Sequence, residues 1–279
     1  MIDSTGKRSY RGKLQAVVFD WAGTTVDWGS FAPTAVFLRL FAQRNVPITI
    51  AQARGPMGLM KRDHLAAIFA LPDVRRRWQY EYDREPDTSD LDAMFTDFVP
   101  MQMDCIADYA APVPGLLETI AALRARSIKI GSTTGYTRAM MEVLIAATAK
   151  HGYTPDSWVT PSDVPAGRPA PWMCYQNAMS LNVFPMAAMV KVGDTLPDIE
   201  EGLNAGMWTI GLALSGNMLG LSESAVAALP ADELELRRTA ICAQFEQAGA
   251  HYVVNTVADV PAILDHIEER LAAGEKPQD

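Results

Sequence analysis

Leu14-Gln15-Ala16-Val17-Val18-Phe19-Asp20-Trp21-Ala22-Gly23-Thr24-Thr25 is the stretch on which the fold turns. Residues 14–19 form a short, largely apolar run with β-branched residues in the middle. They read as a parallel strand buried on both faces. The run stops at an acid, Asp20, and passes into a loop of small residues and paired threonines. Taken alone, that acid is either a turn or cap carboxylate or a group presented at the mouth of a sheet.

Working outward, the same pattern recurs after residue 112. Residues 127–133, 157–160, 189–193, 208–212 and 251–254 read as strands. Residues 116–126, 137–151, 172–181, 196–205 and 260–271 read as helices. Alternating strands and helices predict a parallel sheet covered on both faces. Between the first strand and the second the alternation is interrupted. Residues 33–45, opened by Pro33, have helical spacing, and 49–106 carries no strand-like alternation, with helices expected over 63–69, 74–82 and 91–106. The expected fold class is therefore α/β: a Rossmann-like, doubly wound parallel sheet core with an inserted helical cap domain. Residues 1–28 and 108–279 would form the core and 29–107 the cap, with hinges near Gly29 and from Ala110 to Pro114. Residues 213–250 read as a surface helical extension without a catalytic part.

In open α/β sheets ligands sit at the carboxyl ends of the strands. Asp20, Thr133-Thr134 and Asp194 all fall there. Gly193-Asp194-Thr195-Leu196-Pro197-Asp198 sets two carboxylates four residues apart directly after a buried strand. Carboxylates gathered at one crevice repel one another unless a hard cation lies among them, and Mg²⁺ suits such oxygen ligands. Asp198 alone could instead be a first-turn helix acid favoured by the helix dipole.

Composition narrows the class. The 279 residues are 49% hydrophobic with a net charge of −9, which suits an enzyme with a sizeable core and argues against a nucleic-acid partner. Arg75-Arg76-Arg77 is followed by Glu81, Asp83 and Glu85 and reads as a solvated helix face. Cys105, Cys174 and Cys242 are odd in number and far apart, so neither a disulfide framework nor a zinc site is suggested, and a reducing cytoplasm fits. The four histidines have no metal-ligand spacing. The first residues lack an apolar signal core, and no apolar run is long enough for a membrane span.

Phe19-Asp20-Trp21-Ala22-Gly23-Thr24-Thr25, Ser132-Thr133-Thr134-Gly135 and Gly193–Asp198 resemble, in order, the motifs of the haloacid dehalogenase superfamily. Met57-Gly58-Leu59-Met60-Lys61-Arg62-Asp63-His64 and Gly167-Arg168-Pro169-Ala170-Pro171-Trp172-Met173 narrow the resemblance to its phosphonatase family, the phosphonoacetaldehyde hydrolases. The resemblance implies hydrolysis of the C–P bond of phosphonoacetaldehyde to acetaldehyde and phosphate. It implies that Asp20 attacks phosphorus and becomes an aspartyl phosphate, and that Asp20, Asp194 and the Ala22 carbonyl hold Mg²⁺. Thr134 and the Gly135 amide would bind the phosphoryl oxygens and Arg168 would supply positive charge. Asp198 would support the metal's waters or order Arg168. Lys61 would form a Schiff base with the aldehyde, His64 would assist proton transfers, and Met57 would wall the pocket.

Phosphatases of the superfamily usually carry a second Asp two residues after the nucleophile, to protonate an alkoxide leaving group. Here that position is Ala22. A departing carbon needs an electron sink instead, and a protonated Schiff base on Lys61 supplies one. An apolar neighbourhood around Lys61 would lower its pKa and make it nucleophilic. Ser30 departs from the family, which carries Cys there. The resemblance also implies a homodimer, to which Met94, Phe95, Phe98, Met101 and Met103 could lend an apolar seam, although such residues equally serve packing within one chain. The alternatives on this fold are a phosphate-ester phosphatase or phosphomutase, which would want an Asp at position 22, and a catalytically silent binding protein, which would lack Asp20 or Asp194.

Overall fold

The computed structural model describes residues 9–278, so residues 1–8 and 279 of the expected core segments, with most of the N-terminal stretch read for an apolar signal core, lie outside the described residues. In chain order the elements are β1 (Ala16–Phe19), α1 (Phe31–Gln43), α2 (Ile50–Arg54), α3 (Lys61–Ala70), α4 (Pro72–Tyr82), α5 (Thr88–Ile106), α6 (Leu116–Ala125), β2 (Lys129–Ser132), α7 (Arg138–Ala149), α8 (Trp172–Leu181), β3 (Met189–Gly193), α9 (Leu196–Asn204), β4 (Trp208–Leu212), α10 (Glu223–Ala228), α11 (Ala231–Gln247), β5 (Tyr252–Val254) and α12 (Val260–Ala273).

The strands form one parallel sheet in the order β2-β1-β3-β4-β5. β1 lies between β2 and β3, so the chain steps to one side of β1 and then crosses to the other. That reversal is the topological switch point where open α/β sheets bind ligands. Register makes the convergence concrete. Phe19 pairs with Ser132 on one side and Val192 on the other. Asp20, Thr133 and the Gly193-Asp194 corner therefore leave the sheet side by side.

Local chemistry shifted several helix starts. α1 begins two residues before Pro33, because the Asp27 carboxylate accepts the Phe31 and Ala32 N–H groups at 3.0 and 2.9 Å. α5 begins at Thr88, where Asp87 and Asp90 form a reciprocal cap that satisfies otherwise unpaired amides. The strand expected over 157–160 is absent: a single bridge joins Thr133 to Val159. The Asp156 side chain takes the Ile130 N–H at 2.8 Å, and Ile130's carbonyl accepts from Asp156 N–H. A carboxylate thus occupies the ladder position a further strand would need.

The 213–250 stretch is more than a surface extension. Ile241 and Phe245, four residues apart on α11, are buried with Ile199 and Ala213 against the β4 side of the sheet. Burying a side chain of the size of Phe245 contributes about 1.5–3 kcal/mol. A larger cluster runs without a break from Val17 and Phe19 under the sheet to Phe37, Phe41 and Phe98 in α1 and α5. Met94 and Phe98 are fully buried within this cluster, and Phe95, Met101 and Met103 pack against it. The apolar face of α5 therefore serves this chain's own core. Arg75 and Arg76 do lie on a solvated face, held by Glu85 and Asp73, whereas Arg77 is half-buried, donating to Gln52 while its Nε is buried without a partner.

Candidate active site

At the carboxyl ends of β1, β2 and β3 the side chains interlock. Arg168 donates to Asp20 at 2.7 Å, to Asp198 at 3.0 Å and, through Nε, to Glu201 at 3.0 Å. Lys191 donates to Asp198 at 2.8 Å and to Thr133 Oγ1 at 2.9 Å, and lies 3.4 Å from Glu201. Thr133 Oγ1 also receives Arg168 Nη2 at 2.8 Å and donates to Glu201 at 2.9 Å. All of these groups are buried. The arrangement follows from helix α9: Asp198 and Glu201 are one turn apart, so both face the Lys191 side chain rising from β3.

The same groups set each other's ionisation. Burial alone would raise the Asp198 pKa, but Arg168 and Lys191 outweigh it and hold this carboxyl below its ordinary value. Asp20 is shifted upward, by burial first and then by Asp198, with Arg168 and Lys191 opposing. Asp194 is driven well above the usual carboxylate range by burial and by the charges of Asp20 and Asp198. Asp194 accepts Thr24 Oγ1 at 3.2 Å and the Asn217 amide at 2.7 Å.

These shifts bear on a metal. One oxygen from each of Asp20, Asp194 and Asp198 falls within 4.8 Å of the others. Two of the three carboxylates resist ionisation through burial and mutual repulsion, which a cation among them would reverse. The donor set is all oxygen and suits a hard divalent ion. Asp198 is the poorest ligand of the three, because Arg168 and Lys191 take one oxygen and the Thr195 hydroxyl and amide take the other at 2.5 and 3.2 Å.

The opposite wall comes from the helical segment. Lys61, the first residue of α3, is 5% exposed. Its Nζ lies 4.8 Å from the centre of the Tyr136 ring and 6.0 Å from that of Phe37. Burial lowers its pKa to about 8 against the attraction of Asp20. His64, one turn on, is fully buried, stacks on Phe37 with ring centres 4.0 Å apart, and contacts the Ala53 carbonyl through Nε2 at 2.8 Å. Burial and the nearby Lys61 charge keep it neutral, with a pKa well below 6.5, and its Nδ1 has no partner.

Asp20, Ala22, Met57, Lys61, Thr134, Gly135, Arg168 and Asp194 line one small cavity of about 20 Å³. His64 stands behind Lys61, and Asp198 stands behind Arg168. Ser30 also faces the cavity, in a left-handed backbone conformation with φ 53°, and its hydroxyl has no partner. Sequence reading missed Tyr136 as a wall residue and Lys191 and Glu201 as buried charges. Lys191 had left a trace: a lysine between Val190 and Val192, in a strand expected to be buried on both faces, must have its charge matched. Glu201 left none, since an acid beside Glu200 on a helix is usually solvated.

Residues 14–206 match the family model for haloacid dehalogenase-like hydrolases, so the chain is an enzyme of that class. It is 50% identical to the phosphonoacetaldehyde hydrolase of Syntrophobacter fumaroxidans (strain DSM 10017 / MPOB), over 97% of this chain and 98% of the relative. It is 49% identical to that of Salmonella newport (strain SL254), over 95% and 99%. The crystal structure of a phosphonoacetaldehyde hydrolase-like protein from Oleispira antarctica superposes with a TM-score of 0.96 at 38% identity, over 99% of this chain and all of that one. The chain belongs to the phosphonoacetaldehyde hydrolase family within the haloacid dehalogenase-like hydrolases.

Proposed function

We propose that this enzyme cleaves the C–P bond of phosphonoacetaldehyde through a Lys61 Schiff base and an Asp20 aspartyl phosphate. The observation that carries the reading is Lys61. A buried amine of depressed pKa faces the same cavity as a strand-end carboxylate, Asp20, and a buried guanidinium, Arg168.

In this reading the Lys61 amine adds to the aldehyde and loses water, leaving a protonated imine. His64, neutral and with Nδ1 free, assists the proton transfers. Asp20 then attacks phosphorus. The P–C bonding pair moves into the iminium, so the carbon departs as a neutral enamine, and Ala22 need supply no acid. Water cleaves the aspartyl phosphate and releases phosphate. The enamine takes a proton at carbon, and hydrolysis of the imine returns acetaldehyde and free Lys61. Thr134, the Gly135 amide and Arg168 would bind the phosphoryl oxygens. Asp20, Asp194 and the Ala22 carbonyl would hold Mg²⁺, which when bound offsets charge on the transferred group.

The cavity has room for little more than one water at about 20 Å³. Substrate admission therefore calls for movement of residues 29–107, read as a cap domain over a core of 1–28 and 108–279, about hinges near Gly29 and 110–114. Cytoplasmic location comes with the odd, widely spaced cysteines and homodimerisation with the family resemblance. Free Cys105, Cys174 and Cys242 agree with the first, and light scattering reads the second. Borohydride added with phosphonoacetaldehyde should leave a permanent adduct on the peptide containing Lys61. An adduct on another peptide, or none, would overturn the Schiff-base reading.

A further inference from the structure

Beside the small cavity runs a groove of about 550 Å³, and Met57 and Thr195 line both. Its floor holds Arg54 and Asn217, residues that the chemistry above does not use. Arg54 ends α2 in the helical segment; Asn217 sits on the loop after β4. The two residues pair reciprocally, side chain to side chain one way and side chain to backbone the other. Arg54 Nη1 donates to Asn217 Oδ1 at 3.1 Å, and Asn217 Nδ2 donates back to the Arg54 carbonyl at 3.2 Å. The same Nη1 donates to the Gly29 carbonyl at 2.7 Å, and the guanidinium lies over the Phe31 ring at 5.2 Å. Gly29 N–H in turn donates to the Ser215 carbonyl at 2.7 Å.

The core end of this chain of contacts is a carboxylate. The Asn217 backbone N–H donates to Asp194 Oδ2 at 2.7 Å. The loop backbone is pressed onto the same side chain, since a Cβ on Gly216 would lie 2.2 Å from the Asp194 Cβ. The aim of that amide therefore depends on where the loop sits, and the loop is held from the far side by Arg54.

We propose that Arg54 and Asn217 are positioning residues for Asp194: they lock the 215–217 loop onto this carboxylate only while the helical segment is seated against the sheet. Seating the segment and orienting the carboxylate become one event. The Mg²⁺ consequence rests on the reading that Asp194 is a metal ligand; the loop consequence does not.

The test uses Arg54→Met, which keeps the stem and removes the donors, together with Arg54→Lys and Asn217→Ala. Two quantities are read on chelator-treated protein without substrate: Mg²⁺ affinity by calorimetric titration, and exchange of the Asn217 amide proton by NMR. Arg54→Met should weaken Mg²⁺ binding by about tenfold or more, the scale of losing an outer partner of a metal ligand, and should expose the Asn217 amide to faster exchange. Arg54→Lys, which keeps a multi-donor cation but on a chain one atom shorter than the reach of Nη1, should fall between. Asn217→Ala should lose a similar factor, and the double variant little more, because both act through one contact. A lower melting temperature with wild-type Mg²⁺ affinity and a still-protected Asn217 amide would mark a merely structural pair and end the proposal. If the wild type takes up no Mg²⁺, the metal reading fails. The amide exchange of Arg54→Lys and Arg54→Met then decides alone, with acceleration supporting the lock and retained protection overturning it.

Discussion

Among the described residues two lysines are buried, and their surroundings send them opposite ways. Lys191 stands on β3 against Asp198 and Glu201, and its pKa is raised: burial and Arg168 push it down, but the carboxylates outweigh them. Lys61 stands on α3 against the rings of Tyr136 and Phe37, and burial lowers its pKa to about 8. Depth is nearly the same, at 0% and 5% exposed. Partners, not burial, decide which lysine is held as a fixed charge and which is left with a lowered pKa. The contrast divides the site into a permanently ionised wall that would hold a phosphoryl group and an apolar wall that would hold an aldehyde.

The sharpest way to break the contrast is Lys61→Arg. It keeps the charge but cannot form an imine, because the guanidinium stays protonated. C–P cleavage should fall by roughly 10⁴-fold or more, the scale of deleting a covalent catalyst, and the borohydride adduct should vanish. Phosphate release from phosphonoacetaldehyde near the wild-type rate would instead favour the phosphate-ester reading.

Next in size is stability. Lys191→Met leaves Asp198 and Glu201 facing a methyl group and should cost about 3–5 kcal/mol in urea unfolding, as when one partner of a buried ion pair is removed. Lys61→Met removes an amine that is disfavoured by burial, and should leave stability unchanged or higher at neutral pH. Equal losses in the two variants would show that partner chemistry does not separate them.

The smallest effect is the pH dependence. The neutral fraction of Lys61 rises with pH through about 8, so the rate of borohydride-trapped adduct formation should climb to about that pH and level off above it. Stability has its own sign. The folded pKa lies below the unfolded one, so the unfolded state binds more protons between about 8 and the ordinary 10.5. The penalty for burying the amine is fully present below about 8. It is relieved as pH rises from there to 10.5, with a slope of at most about 1.4 kcal/mol per pH unit. Lys61→Met should lack that rise. An adduct rate still climbing at pH 10 would mean an amine of ordinary basicity.

Much of this was legible in the linear chain. The alternation of strands and helices, its interruption after β1, and acids and threonines at three strand ends follow from short-range rules of pattern and pleat. The Lys61 environment could be suspected from Met57, Leu59 and Met60 beside it. What only the tertiary structure decided are the meetings across the chain: Arg168 with Asp20, Asp198 and Glu201; Lys191 with Asp198 and Glu201; Tyr136 beneath Lys61; Arg54 with Asn217. These pairs lie from a few to well over a hundred residues apart, and no local period encodes them. The Ser157–Thr160 segment makes the same point in reverse. It has strand-like residues, but the Asp156 carboxylate occupies the ladder position beside β2. Sequence pattern sets which element a residue joins, and the packing of those elements sets which charges must share a dry interior.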